Sequence, residues 1–311
     1  MGENSGMINE QRLIRFGVAG FPPAFFESSF KKKRENIFEW LSILGLDWVE
    51  LQNTYGVKMK DEQAFLYRNL AEKYKIEISI HAPYYITLAS LDIGVVQRSK
   101  ERILQCFDLA SKIGAKRIIF HPGHFPGKEE KDREDALKKI VEGLNSIKDK
   151  IPEGIYLYPE TAGKHSQIGS VREIISICSQ VNYTRPCIDV AHVHGFENGT
   201  LTTAESIIDI LELIEKELGR DYLDETHFHM YPVEIDHNGE KKHRAFEDRI
   251  ENQQLELFQE IKENRYYPLP EHFIQAIKCK KLQPVVICEA RDSQERGARL
   301  MKDMYMGRKE W

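Results

Sequence analysis

The chain has 311 residues, with 44 Lys and Arg against 49 Asp and Glu and a net charge of -5. That length suffices to bury a large core as one α/β unit, and the mixed charge excludes a whole-protein basic footprint for a polyanion, although bound divalent ions would make one cleft locally positive. Five scattered cysteines (Cys106, Cys178, Cys187, Cys279, Cys288), odd in number and without a CxxC pair, read as reduced, buried side chains of a cytoplasmic protein and exclude a disulfide framework.

Residues 1–12 read as a polar tail and residues 13–311 as one domain, with no apolar run long enough to cross a bilayer. A first strand is expected over 13–18, closed by the loop Gly20-Phe21-Pro22-Pro23, then a helix over 31–44 and a strand over 48–51. After the loop Gln52-Asn53-Thr54-Tyr55-Gly56 comes a helix over 61–75, where Phe65, Leu66, Leu70 and Tyr74 recur at helical intervals. Strands ending at His81, His121, Glu160 and Asp189 then alternate with helices over 93–113, 131–147 and 171–179. Thr202 or Thr203 caps the next helix, with Glu205 in its first turn, and a further strand ends near His229. From 231 to 267 the pattern lapses into polar sequence, with Asn238-Gly239 as a turn and a helix over 253–263. A helix over 270–280, a strand over 284–289 and a helix over 293–306 complete the chain. Eight strands alternating with about eight helices predict a single (β/α)8 TIM barrel. The alternative, a doubly wound open sheet, has no glycine-rich nucleotide motif to support it.

Six of these strands stop at a residue able to bind a metal: His81, His121, Glu160, Asp189, His229 and Glu289. In a (β/α)8 barrel the C-terminal strand ends converge on one face, so three imidazoles and three carboxylates are expected in one bowl. Any one of them alone is more often a capping or salt-bridged group; in series they predict a metal site, since carboxylates bridge ions and imidazoles complete the shell. His192, three residues beyond Asp189, and His243 are further candidate ligands. His124, His165, His194, His227 and His237 read as surface or supporting groups, and only one of His227 and His229 is expected to face the barrel interior.

The ordered motifs His81-Ala82-Pro83-Tyr84, Phe120-His121-Pro122-Gly123, Glu160-Thr161-Ala162-Gly163 and Cys187-Ile188-Asp189-Val190-Ala191-His192, with His229 and the closing Glu289, resemble those of the endonuclease IV family. These are metal-dependent apurinic/apyrimidinic endonucleases of the xylose isomerase-like barrel superfamily. The resemblance implies two or three zinc ions, with manganese as an alternative. His81, His121 and Glu160 would hold the first; Glu160 would bridge to a second on Asp189, His229 and Glu289; His192 and the loop after the seventh strand would hold a third. In that loop the family has an Asp-x-His pair, whereas this chain has His243 and Ala245 at the matching positions, so the third ion would need His192, His243 and a substitute such as Asp236 or Glu240. The resemblance also implies damaged double-stranded DNA as partner, with Tyr84 on the loop after the third strand, Tyr55 and Lys58 on the loop after the second, and Arg244 as candidate contacts.

The expected function is therefore a DNA-repair phosphodiesterase that cleaves 5′ to abasic sites by attack of a metal-bound hydroxide on phosphate, with Glu160 and Glu289 as catalytic residues, acting as a monomer away from membranes. The alternative is a sugar isomerase or epimerase of the same superfamily, which would use Glu160, Asp189, His229 and Glu289 around a single divalent ion. His81 and His121 discriminate, because a one-metal isomerase does not need two further imidazoles there.

Overall fold

The computed structural model describes residues 14–308 except 128 and 253–262. The expected tail over 1–12 and most of the helix expected over 253–263 lie outside the described residues.

Eight parallel strands form the centre: β1 (Arg15–Ala19), β2 (Trp48–Gln52), β3 (Glu77–His81), β4 (Arg117–Phe120), β5 (Tyr156–Pro159), β6 (Cys187–Asp189), β7 (His227–His229) and, after four short intervening strands, β12 (Val285–Cys288). The ladder order is β5-β4-β3-β2-β1-β12-β7-β6. Parallel bridges Leu157↔Thr184 and Glu160↔Cys187 join its two ends, so the sheet closes into a barrel. The TIM barrel expectation is met. Among the helices, α3 (Asp61–Tyr74), α4 (Ile93–Ile113), α5 (Glu130–Asn145), α6 (Val171–Gln180), α10 (Pro270–Cys279) and α11 (Gln294–Met306) fall within two residues of the expected bounds at either end. The helix expected over 31–44 is shorter, a 3-10 turn at Arg34–Asn36 followed by α2 (Ile37–Ile43), and Pro22-Pro23 opens a five-residue α1 (Pro23–Glu27) where only a loop is expected. Thr203 caps α8 (Ala204–Leu218), its hydroxyl accepting from the Ser206 N–H, and a short α9 (Arg220–Glu225) leads into β7.

Strand alternation decides which residues meet the helices and which fill the barrel. Phe16, Val18, Val49, Leu51, Ile78, Ile80, Ile118, Phe120, Leu157, Ile188, Phe228, Val286 and Cys288 belong to the large core shared with the helices. The other phase faces inward, with Ala19, Trp48, Val285 and Ile287 forming one small cluster and Ile119, Tyr158 and Cys187 another. Gly17 makes room for Trp48: a Cβ there would stand 2.5 Å from the Trp48 Cβ. Towards the C-terminal ends this inward phase becomes polar, through Glu50, Ser79, Asp189, His227 and His229, all buried.

The polar stretch after β7 is a hairpin of β8 (Val233–Asp236) and β9 (Gly239–His243), turning at the expected Asn238-Gly239, and it lies against α7 (Val190–Phe196). A further pair, β10 (Ile250–Asn252) and β11 (Glu263–Arg265), follows. Four of the five cysteines are buried and none is bridged. Cys279 is exposed, contrary to the expectation that all are buried; it ends α10 beside the exposed Lys278, past the last apolar positions Ala276 and Ile277 that face the core.

Candidate metal centre

Each strand-end residue arrives where its strand phase sends it. His81 ends β3, His121 follows β4, Glu160 follows β5, Asp189 ends β6, His229 ends β7 and Glu289 follows β12. Glu160 is the hub. Its Oε2 lies 3.1 Å from His81 Nε2 and 3.4 Å from His121 Nε2, while its Oε1 lies 3.0 Å from His229 Nδ1 and 3.4 Å from His192 Nδ1. His229 Nδ1 also faces Asp189 Oδ2 at 3.9 Å and Glu289 Oε1 at 3.8 Å. Several donor sets result among the described residues, among them His81, His121 and Glu160; Glu160, Asp189 and His192; His192, Glu240 and His243; and, deeper, Glu50, His227 and His229, while His229 Nδ1 draws together Glu160, Asp189 and the half-buried Glu289.

The set of His192, Glu240 and His243 lies at the sequence mismatch in the loop after β7. Glu240 Oε2 is 2.9 Å from His192 Nε2, and its Oε1 is 2.9 Å from His243 Nε2. Of the two candidate substitutes, Glu240 is the carboxylate beside these histidines, while Asp236 is exposed at the hairpin turn and accepts from the Asn238 N–H. Backbone contact seats the hairpin: Glu240 N donates to Gly163 O at 2.8 Å. A Cβ at Gly163 would stand 2.8 Å from Glu240 Cβ and 2.5 Å from its Oε2, so a side chain there would displace Glu240. The Tyr231 ring stacks on His243 at 4.1 Å and closes this side of the bowl.

Hydrogen bonds fix which nitrogen each ring offers. His81 Nδ1 donates to Ala82 O at 2.9 Å, His192 Nδ1 to Thr161 O at 2.9 Å and His243 Nδ1 to Glu289 O at 3.0 Å. A carbonyl only accepts, so these rings carry the proton on Nδ1 and turn Nε2 to the carboxylates.

The electrostatics are those of a cation site. Burial pushes Glu160 up, but His121 and His229 outweigh it and hold the carboxyl well below its usual range. Burial lowers His81, yet its bond to Glu160 outweighs that and raises it to about 9; His243 likewise rises to about 9 against burial, through Glu240. Burial takes His121 down to about 4, and it lifts Asp189 to about 7 with Glu160 adding to the rise. Asp189 Oδ1 caps α7 by accepting from the His192 N–H at 2.7 Å, whereas its buried Oδ2 makes no hydrogen bond and faces the His192 ring at 3.3 Å. A buried carboxylate oxygen left without a donor is costly unless a cation faces it, so the residues present fit divalent ions, and imidazole with carboxylate suits zinc or manganese.

Sequence reasoning missed the layer beneath. Glu50, fully buried on β2, accepts from Ser79 Oγ at 2.8 Å and lies 3.0 Å from His227 Nε2 and 3.2 Å from His229 Nε2. Its signal was present, a glutamate at an inward position of Trp48-Val49-Glu50-Leu51. The expectation that only one of His227 and His229 faces the interior is corrected: residues two apart share a face, so both are inside and Phe228 turns outward onto Phe273 of α10. His194 is buried too, its Nδ1 accepting from Leu201 N.

On the rim, Tyr55 and Tyr84 are 70% and 61% exposed, with ring centroids 6.2 Å apart, and Lys58 Nζ lies 5.8 Å over the Tyr55 ring. Tyr55 and Lys58 line a 580 Å³ cavity together with Phe21, Arg34, Gln52 and Asn53. Arg244 is not presented there: it bonds Tyr266 OH at 2.6 Å and lies 3.5 Å from Glu234.

The model of the family described as xylose isomerase-like TIM barrel matches residues 38–307. The chain belongs to that family. Buried clusters of histidine and carboxylate in a barrel of this family indicate a metal-dependent enzyme. Among relatives of this xylose isomerase-like barrel, MJ0133 of Methanocaldococcus jannaschii, named an uncharacterized protein, is 30% identical over 239 residues, covering 76% of this chain and 83% of its own length. A probable endonuclease 4 of Thermoplasma acidophilum is 30% identical over 157 residues, and the alignment spans 50% of this chain and 53% of that protein. Among solved structures, endonuclease IV from Thermus thermophilus superposes with a TM-score of 0.64 at 14% identity, over 94% of this chain and 98% of that one. A D-psicose 3-epimerase with D-tagatose from Clostridium cellulolyticum gives 0.63 at 13% identity, over 94% and 99%. At such identities the two structures speak for the shared fold alone. Among the described residues no helix is long and apolar enough to cross a membrane.

Proposed function

We propose that this barrel is a metal-dependent phosphodiesterase of the endonuclease IV kind, acting on damaged duplex DNA 5′ to abasic sites. The observation that carries this reading is the flanking of the central set by two more. Glu160, Asp189, His229 and Glu289 alone would serve a one-metal isomerase; His81 and His121, and likewise His192, Glu240 and His243, are not needed as ligands in that chemistry. Imidazole and carboxylate donors in these numbers suit two or three zinc or manganese ions.

Such ions, when bound, supply Lewis-acid stabilisation of phosphate charge and lower the pKa of water. The chain's own residues do the rest. Glu160 joins the sets through its two oxygens and fixes their spacing. Glu289, whose side chain is 15% exposed beside Gln52 Nε2 at 3.4 Å, is the carboxylate at the open mouth and takes the proton of the attacking water. Tyr55 and Tyr84 offer faces on which bases stack where the duplex is opened, and Lys58 adds a phosphate contact. Arg244, held inside its own loop, positions that loop rather than phosphate.

The test is a duplex with one abasic site, incubated with the zinc- or manganese-loaded protein beside a parallel ketohexose epimerisation assay. Incision 5′ to the lesion without epimerisation is expected. Epimerisation without incision would transfer the chain to the one-metal sugar enzymes.

A further inference from the structure

His229 differs from the other candidate ligands in how its second nitrogen is held. His81, His192 and His243 each anchor Nδ1 on a backbone carbonyl and present Nε2. His229 is reversed. Its Nδ1 faces Glu160, Asp189 and Glu289, while its Nε2 points down into the barrel, where Glu50 Oε1 at 3.2 Å is the carboxylate it meets. Deep in a parallel strand the neighbouring carbonyls belong to the ladder (Met230 N takes Ile287 O, and β7 pairs with β6 and β12). Among the described residues Nε2 bonds no backbone carbonyl, and Glu50 Oε1, placed beside it without full hydrogen-bond alignment, is the acceptor that faces it.

Glu50 is in turn held by Ser79, itself fixed by Trp48, and by His227. Trp48 Nε1 donates to Ser79 Oγ at 2.9 Å, Ser79 Oγ donates to Glu50 Oε2 at 2.8 Å, and His227 Nε2 lies 3.0 Å from the same oxygen. All of these side chains are buried. One carboxylate oxygen is thus committed to Ser79 and His227, while the other faces His229 Nε2 at 3.2 Å and also accepts a long bond from Gln52 Nε2 at 3.4 Å.

We infer that Glu50 is a positioning residue for the metal centre: it takes the Nε2–H of His229, so that Nδ1 is the nitrogen offered to an ion, and Trp48, Ser79 and His227 hold it in place. The inference rests on the metal reading of the site. Carboxylates behind a ligating imidazole fix its tautomer and raise its basicity, and their loss weakens metal binding about 10- to 100-fold.

The experiment compares the full-length protein with Glu50→Gln and Ser79→Ala, using Co2+ as the probe. It reads the number of ions at saturation, their affinities by chelator competition and the visible absorption of bound cobalt. Glu50→Gln is expected to bind the parent's number of ions, with the affinity of one lowered about 10- to 100-fold and its absorption shifted, and Ser79→Ala to show a smaller loss in the same ion. Affinities within twofold of the parent and an unchanged spectrum would overturn the positioning role. So would one ion fewer at saturation, which would make Glu50 a ligand. Should Glu50→Gln fail to fold, Ser79→Ala decides, and its parent-like affinity is the contrary result. A parent that takes up no cobalt, zinc or manganese defeats the metal reading itself, a failure visible before any variant is made.

Discussion

Glu240 Oε2 lies 2.9 Å from His192 Nε2, joining the hairpin after β7 to the helix that follows Asp189. The carboxylate comes three residues before His243 on β9, and it reaches the bowl because Gly163 leaves space for it. If this set holds an ion, Glu240→Ala should remove one ion per chain while leaving those around Glu160. The affinity for that ion should fall by more than the roughly 100-fold that loss of an outer partner costs. Titration of the variant with zinc checks this; an unchanged ion count would assign Glu240 to an ion pair with His192 and nothing more.

Glu160→Gln is expected to be the most damaging single change at the centre. It removes the carboxylate to which four imidazoles are drawn, leaving buried groups unpaired, which costs about 3–5 kcal/mol where a buried pair is broken. Ions of this kind supply several kcal/mol of transition-state stabilisation, so incision should drop at least about a thousandfold. Single-turnover cleavage of an abasic duplex and thermal unfolding read the two effects separately. Retained incision at the parent's rate would remove Glu160 from the mechanism.

The metal-free protein should lose stability as pH rises from about 6.5 to about 9. His81 and His243 are raised to about 9 by Glu160 and Glu240 against the effect of burial. A histidine raised above its unfolded value contributes stability that is full below about pH 6.5 and is lost as pH climbs through about 9. Metal loading displaces those protons, so zinc affinity should rise over the same window while the melting temperature of the loaded protein does not follow the fall. Melting curves with and without chelator from about pH 6 to about 9.5 check both; parallel curves would contradict the prediction.

Tyr84→Ala and Tyr55→Ala should weaken DNA binding without altering the melting temperature. Both rings stand exposed on the rim, so removal leaves no cavity. Stacking of a base on an aromatic face contributes about 1–3 kcal/mol, which is about 5- to 150-fold in affinity. Fluorescence anisotropy with an abasic duplex measures this, and variants that bind as tightly as the parent would place the DNA elsewhere.

Much of this centre is legible in the chain because strand phase and strand end coincide. Ile118-Ile119-Phe120-His121 alternates out and in until the histidine arrives inward at the rim, and the same holds for the runs ending at His81, Asp189 and His229. Glu50 escaped notice because it sits one layer below a strand end, where its partners are contributed by β3 and β7, far away in sequence. The third set was unclear for another reason. The spacing of Glu240 and His243 differs from the Asp-x-His pattern, and only the bulge between Glu234 and Ile235 and the docking of the hairpin on Gly163 show that both side chains still reach the bowl beside His192. Arg244, named as a candidate phosphate contact, is engaged by Tyr266 and Glu234, on either side of it in sequence, which the sequence does not reveal.

Whether this barrel holds one metal ion or several is read from the count of ions per chain. Elemental analysis of protein purified without chelator and saturated with zinc or manganese should give two or three ions per chain, falling by one in Glu240→Ala. A single ion per chain, bound with Glu240→Ala unaffected, would contradict the account and leave the centre with Glu160, Asp189, His229 and Glu289 as a one-metal site.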